Sequence, residues 1–179
     1  MNIETSTERD VNDAEDVRDT FPVPEVQISP QARDALGAAA RASLRVERGG
    51  ILIGYREGQD VVVEDLVQVP DATAGRSTYL RREGPAQQAL DAYLDRARAD
   101  DALGYVGEWH THPGPAPPSP VDHHATRTMA RRNRQPVALI VAALRDDHQS
   151  VDLHALISEP RRLRDRVTGR HTVAVVSVA

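Results

Sequence analysis

Apolar residues recur along the chain at strand or helical spacing, and the alternation between the two maps the elements. Glu25 to Ile28 is a short strand candidate. Ser29-Pro30 then offers an N-cap and a first-turn proline, opening a helix with Ala32, Leu36, Ala39 and Ser43/Leu44 on one face that is expected to stop at Gly49-Gly50. Ile51 to Tyr55 and Asp60 to Val69 are apolar, β-branched runs on either side of Arg56-Glu57-Gly58-Gln59, the pattern of a hairpin. About Pro85 to Arg98 reads as a second helix, with Ala86, Leu90, Tyr93 and Ala97 in register. Leu103 to Thr111 is a strand, and Pro113 to Pro118 is a loop, because proline can join neither a helix interior nor a ladder. Ser119 to about Arg132 is a third helix whose apolar face is expected at Val121, Ala125 and Thr128/Met129. Val137 to Leu144 and Val151 to Ile157 are strands joined by Arg145 to Ser150, and Thr172 to Val178 is a last strand. Strands and helices interleave irregularly, which predicts an α/β fold with a mixed sheet.

Length changes this picture little: 179 residues with 40% hydrophobic content suit one domain, assigned to residues 26–179. Charge divides the chain. Residues 1–25 hold eight acids and two arginines, so that segment carries −6 of the net −5 and the remainder sums to +1. With Phe21-Pro22-Val23-Pro24 it reads as an acidic, disordered tail and a stiff linker. A nearly neutral body gives no support to nucleic-acid binding. No apolar run of about 18 residues and no basic, apolar leader is present, so the expectation is a cytoplasmic protein without a membrane segment. Zero Cys excludes disulfides, thiol catalysis and thiolate metal sites, leaving His, Asp and Glu to hold any metal. All 22 basic residues are Arg, which codon bias explains.

The candidate chemistry lies in Glu108-Trp109-His110-Thr111-His112-Pro113 and Ser119-Pro120-Val121-Asp122. On a strand His110 and His112 share a face and can chelate one ion, while Trp109 and Thr111 face the other side, where Trp109 is expected in the core. Pro113 ends the strand, and the loop after it can bring Asp122 back to the same ion. Two His and one carboxylate leave a tetrahedral position open, as in a catalytic zinc site. Ser119-Pro120-Val121-Asp122 is equally a helix start, with Ser as N-cap and Asp three residues on. A hydrolase of this kind also needs a base that is no ligand, and both Glu47, before Gly49-Gly50, and Glu108, on the His110 face, qualify. Residue patterns do not choose between them. His123 and His124 are assigned to the helix surface, Arg76, Arg81 and Arg82 to solvent, and His148, His154 and His171 to no site.

Together Glu47, His110, His112, Pro113, Ser119 and Asp122 resemble, in type and order, the signature of the JAMM (JAB or MPN+) metalloproteases over about residues 26–160. The resemblance implies a JAB/MPN-like, cytidine-deaminase-like mixed sheet flanked by helices. It implies Zn²⁺ on His110, His112 and Asp122, Glu47 as general acid/base, Ser119 beside the oxyanion, and Glu108 as a supporting residue. The wording Gly104 to Pro113 is similar to bacterial JAB proteins encoded with ubiquitin-activating-like and ubiquitin-conjugating-like enzymes, some in antiphage operons. The implied activity is cleavage after the C-terminal Gly of a ubiquitin-like protein, with processing of a sulfur-carrier protein or a non-catalytic scaffold as the rival readings. One departure concerns the spacer: nine residues separate His112 from Asp122, one fewer than the family's ten.

Overall fold

The computed structural model describes residues 23–76, 78–97, 102–160 and 171–178. The acidic lead-in up to residue 22 lies outside them. Seven strands and three helices follow the order β1 (Glu25–Ile28), α1 (Pro30–Arg41), β2 (Gly49–Glu57), β3 (Asp60–Gln68), α2 (Glu83–Ala97), β4 (Gly104–His112), α3 (Pro120–Asn133), β5 (Val137–Leu144), β6 (Val151–Ser158) and β7 (His171–Val178). The predicted α/β class with a mixed sheet is what forms. The sheet closes on itself in the order β1-β3-β2-β4-β5-β6-β7, with parallel pairs at β1–β3, β4–β5 and the closing pair β1–β7.

Ser29 caps α1 through its Oγ, which accepts from the Ala32 amide at 3.1 Å, and its own hydroxyl donates to the Glu64 carbonyl at 2.7 Å. The helix buries Ala32, Leu36, Gly37 and Ala40, and Ala32, Leu36 and Ala40 join apolar side chains from all seven strands in one core. Trp109 belongs to that core, as its place on β4 required. All of β5 is buried, the mark of a strand covered on both faces. A smaller cluster of Ile51, Ile53, Val69 and Ala86 forms under α2.

Two sequence expectations are corrected. The first helix ends at Arg41, well short of Gly49-Gly50, because those glycines already belong to β2, where Gly49 pairs with His110 and Gly50 with Trp109. A Cβ on Gly50 would stand 1.9 Å from the Val67 carbonyl oxygen, so the glycine permits the strands to close rather than stopping a helix. The apolar face of α3 is also different: Thr126 and Ala130 are buried, whereas Val121 is 75% exposed. Facing the sheet with Asp122, Thr126 and Ala130 turns Val121 outward, since positions four apart share a helix face. Among the described residues no helix is long and apolar enough to cross a membrane.

Candidate metal centre

Strand β4 sets the first half of the site. A register shift opposite Leu52/Ile53 places Gly107 against Leu52 and Tyr105 against Ile53, and beyond it the alternation puts Glu108, His110 and His112 on one face. His110 Nε2 lies 3.1 Å from His112 Nε2, and the ring centroids are 5.0 Å apart. His112 Nδ1 donates to the Ala116 carbonyl at 2.7 Å, since a carbonyl can only accept. That bond fixes the tautomer in which Nε2 keeps its lone pair for an ion, the usual role of a partner behind a metal-ligating histidine. The proline-rich loop therefore does more than end the strand, because its backbone orients the His112 ring.

Helix α3 supplies the second half. Ser119 and Asp122 form the expected capping box: the Asp122 amide donates to Ser119 Oγ at 3.3 Å and the Ser119 amide donates to Asp122 Oδ2 at 2.6 Å. Oδ1 is thereby turned toward the histidines, 3.5 Å from His110 Nε2. The nine-residue spacer closes the distance. Ligand atoms of His110, His112 and Asp122 all fall within 4.8 Å of one another, and His123 and His124 stand outside this group. Bonds of about 2.0 to 2.1 Å in a tetrahedron separate ligand atoms by roughly 3.3 Å, so spacings of 3.1 and 3.5 Å suit Zn²⁺. The donor set fits as well, with two imidazole nitrogens and a carboxylate oxygen.

Glu47 enters from the loop between α1 and β2. Its amide donates to the Gly75 carbonyl at 2.8 Å, and Arg48 beside it is tied to Thr111 of β4 through both the amide and the carbonyl. The side chain is buried, with Oε1 3.8 Å from His112 Nε2. Burial, with the Asp122 carboxylate adding to it, pushes the Glu47 carboxyl up to about 7. Burial lowers the His110 imidazole to about 4 against the pull of Asp122, with His112 adding to the fall, so this ring is neutral near pH 7.

Glu108, the other candidate base, is elsewhere. Its carboxylate accepts from Arg81 Nε and from the Tyr105 hydroxyl, and it does not line the cleft that holds Glu47. Arg81, expected in solvent, is instead half-buried in that pairing. The cleft is about 370 Å³, and its walls include Arg76, Thr78 and Tyr79 besides the histidines, Ser119 and Asp122. Sequence patterns gave no signal for Thr78 and Tyr79, which lie in an irregular segment between β3 and α2. The one trace is Gly49, where a Cβ would meet the Tyr79 ring at 2.4 Å.

A family model described as prokaryotic homologs of the JAB domain matches residues 29–155. Curated relatives named CD-NTase/cGAS isopeptidase occur in Enterobacter hormaechei, 36% identical over 131 residues, and in Vibrio cholerae, 34% identical over 99. The matches cover 66% and 55% of this chain and 69% and 63% of those proteins. The COP9 signalosome complex subunit 5 of Gibberella zeae is 31% identical over 90 residues, half of this chain and 26% of that one. The solution structure of a Desulfitobacterium hafniense protein superposes with a TM-score of 0.59 at 20% identity, over 86% of this chain and 92% of its own. That last likeness concerns the fold alone.

Proposed function

The chain belongs to the prokaryotic JAB-domain family, and from that premise we propose that it is a zinc-dependent isopeptidase that cleaves after the C-terminal Gly of a ubiquitin-like protein. One observation carries the reading: a buried carboxylate, Glu47, shares a cleft with two histidines and an aspartate spaced for one Zn²⁺. When bound there, zinc supplies Lewis acidity and makes water acidic near neutral pH.

The protein's own groups do the rest. Glu47 Oε1 accepts the proton of the attacking water and returns it to the departing lysine amine, a double duty suited to a carboxyl held up to about 7. The Ser119 hydroxyl, whose oxygen already accepts from the Asp122 amide, keeps its proton free to donate to the developing oxyanion. Val121, 75% exposed, lines the cleft, and the exposed Val46 and Leu80 are chain neighbours of Glu47 and Tyr79. An exposed apolar side chain on the wall of a charged cleft favours a protein surface as substrate over a small metabolite.

As the relatives' name suggests, the substrates are conjugates in which a ubiquitin-like protein is joined to a CD-NTase-like enzyme in the cytoplasm. The partners are then the ubiquitin-activating-like and ubiquitin-conjugating-like enzymes that make such conjugates, and the setting is antiphage defence. The test is zinc-loaded full-length protein incubated with a ubiquitin-like protein joined to lysine and, in parallel, fused linearly to a reporter. Cleavage after the glycine is expected for the lysine conjugate. Glu47→Ala should retain zinc and lose at least about 100-fold in kcat. Zinc-loaded protein that cleaves neither substrate overturns the proposal, and cleavage of the linear fusion alone replaces it with precursor processing.

A further inference from the structure

Arg81 and Glu108 are charges taken out of solvent for which the chemistry above has no use. Both side chains are largely covered, at 14% and 21% exposure, and they pair directly. Arg81 also points Nη2 at Met129 Sδ of α3, at 3.4 Å, while Glu108 accepts from Tyr105 at 3.5 Å. A buried ion pair gains little net stability over an apolar one, and what it gives instead is fixed geometry.

What this geometry fixes can be followed along the chain. Arg81 ends an irregular segment running from Val69 that forms one wall of the cleft. The segment starts on the Val69 amide, which donates to the Gly49 carbonyl at 2.9 Å. Inside it, the Tyr79 hydroxyl donates to the Val69 carbonyl at 2.9 Å, the Leu80 amide to Asp71 Oδ2 at 2.9 Å, and the Gly75 amide to the Thr78 carbonyl at 2.8 Å. The segment is thus a closed loop whose far side presents the Gly75 carbonyl to the Glu47 amide. Its Arg81 end is anchored to β4 at Glu108, two residues before His110.

We propose that Arg81 and Glu108 are a positioning pair, which clamps the segment from Val69 to Arg82 onto the ligand strand and through Gly75 holds Glu47 at its place beside the metal centre. The catalytic consequence rests on the isopeptidase reading, but the clamp itself does not. Neither residue touches substrate. Loss of the clamp loosens Glu47 and the wall bearing Tyr79, while His112 and Asp122 keep their own supports in Ala116 and Ser119.

Amide hydrogen exchange on full-length protein tests this, comparing wild type with Arg81→Met, Glu108→Gln and Arg81→Lys. In Arg81→Met and Glu108→Gln the Glu47 and Gly75 amides should exchange at least about tenfold faster, with β5 and zinc content unchanged and Arg81→Lys restoring most of the protection. On a cleavable conjugate, kcat should fall about tenfold or more in the first two with KM nearly constant. Unchanged protection at Glu47 and Gly75 in folded Arg81→Met overturns the proposal, whatever the activity. Should the variants fail to fold, wild type decides alone: Glu47 and Gly75 must exchange as slowly as Thr111 of β4, and fast exchange there overturns the clamp. A wild type without isopeptidase activity sinks the functional reading and leaves the exchange result standing.

Discussion

Ser119 holds two positions at once, and replacing it by alanine separates them. As an N-cap, its Oγ receives one bond from the Asp122 amide, and that bond is long at 3.3 Å. Its loss costs about 1 kcal/mol, the ordinary value for a cap. The other half of the box survives, because the Ser119 amide that donates to Asp122 Oδ2 at 2.6 Å belongs to the backbone. Asp122 should therefore stay oriented, and zinc affinity should weaken by no more than about tenfold. If the hydroxyl also donates to the oxyanion, kcat falls by about 100-fold to 1,000-fold, equivalent to roughly 3 to 4 kcal/mol. The two costs differ enough to be told apart. Urea unfolding gives the first, metal titration the second, and single-substrate kinetics with saturating zinc the third. A zinc-saturated Ser119→Ala whose kcat stays within about threefold of wild type would refute the oxyanion role and leave Ser119 a helix cap.

His112→Ala should take the protein from about one zinc per chain to little, as read by elemental analysis. Zinc at 100 times its dissociation constant should stabilise wild type by about 2.7 kcal/mol and the variant hardly at all, and an equal shift of both melting points would count against the site. Gly107→Ala places a Cβ 2.1 Å from the Ala138 carbonyl oxygen, and separating β4 from β5 there should cost about 3 kcal/mol in chemical denaturation. A loss under about 1 kcal/mol would mean the strands give way more easily than their backbone contact implies. Trp109→Phe should be mild for so buried a residue, at or below about 1.5 kcal/mol, because the Nε1 donor it removes has no hydrogen-bond partner among the described residues, which offsets part of the lost ring volume. A loss above about 3 kcal/mol would show that packing of the indole outweighs its orphaned donor.

Local patterns determined a great deal in this chain. Alternation on one strand put His110 and His112 together with Trp109 behind them, and a short polar signature placed Ser119 and Asp122 at a helix start; both are consequences of backbone period and need no distant partner. The strand and helix map was legible for the same reason. Tertiary structure decided matters that period cannot reach. Glu47 and Glu108 are equal in one dimension, and what separates them is Arg81, which reaches Glu108 across 27 residues of sequence and occupies it. Gly49-Gly50 read as a helix stop because glycine has several uses, and only the approach of Val67 and Tyr79 shows that here it admits close neighbours. Val121 looked like core and is exposed, since the face α3 turns inward is set by what it packs against and by the capping Asp122 at its N-terminus. Closure of the sheet through β1 and β7 joins residues some 150 positions apart, a pairing that depends on the whole chain having folded.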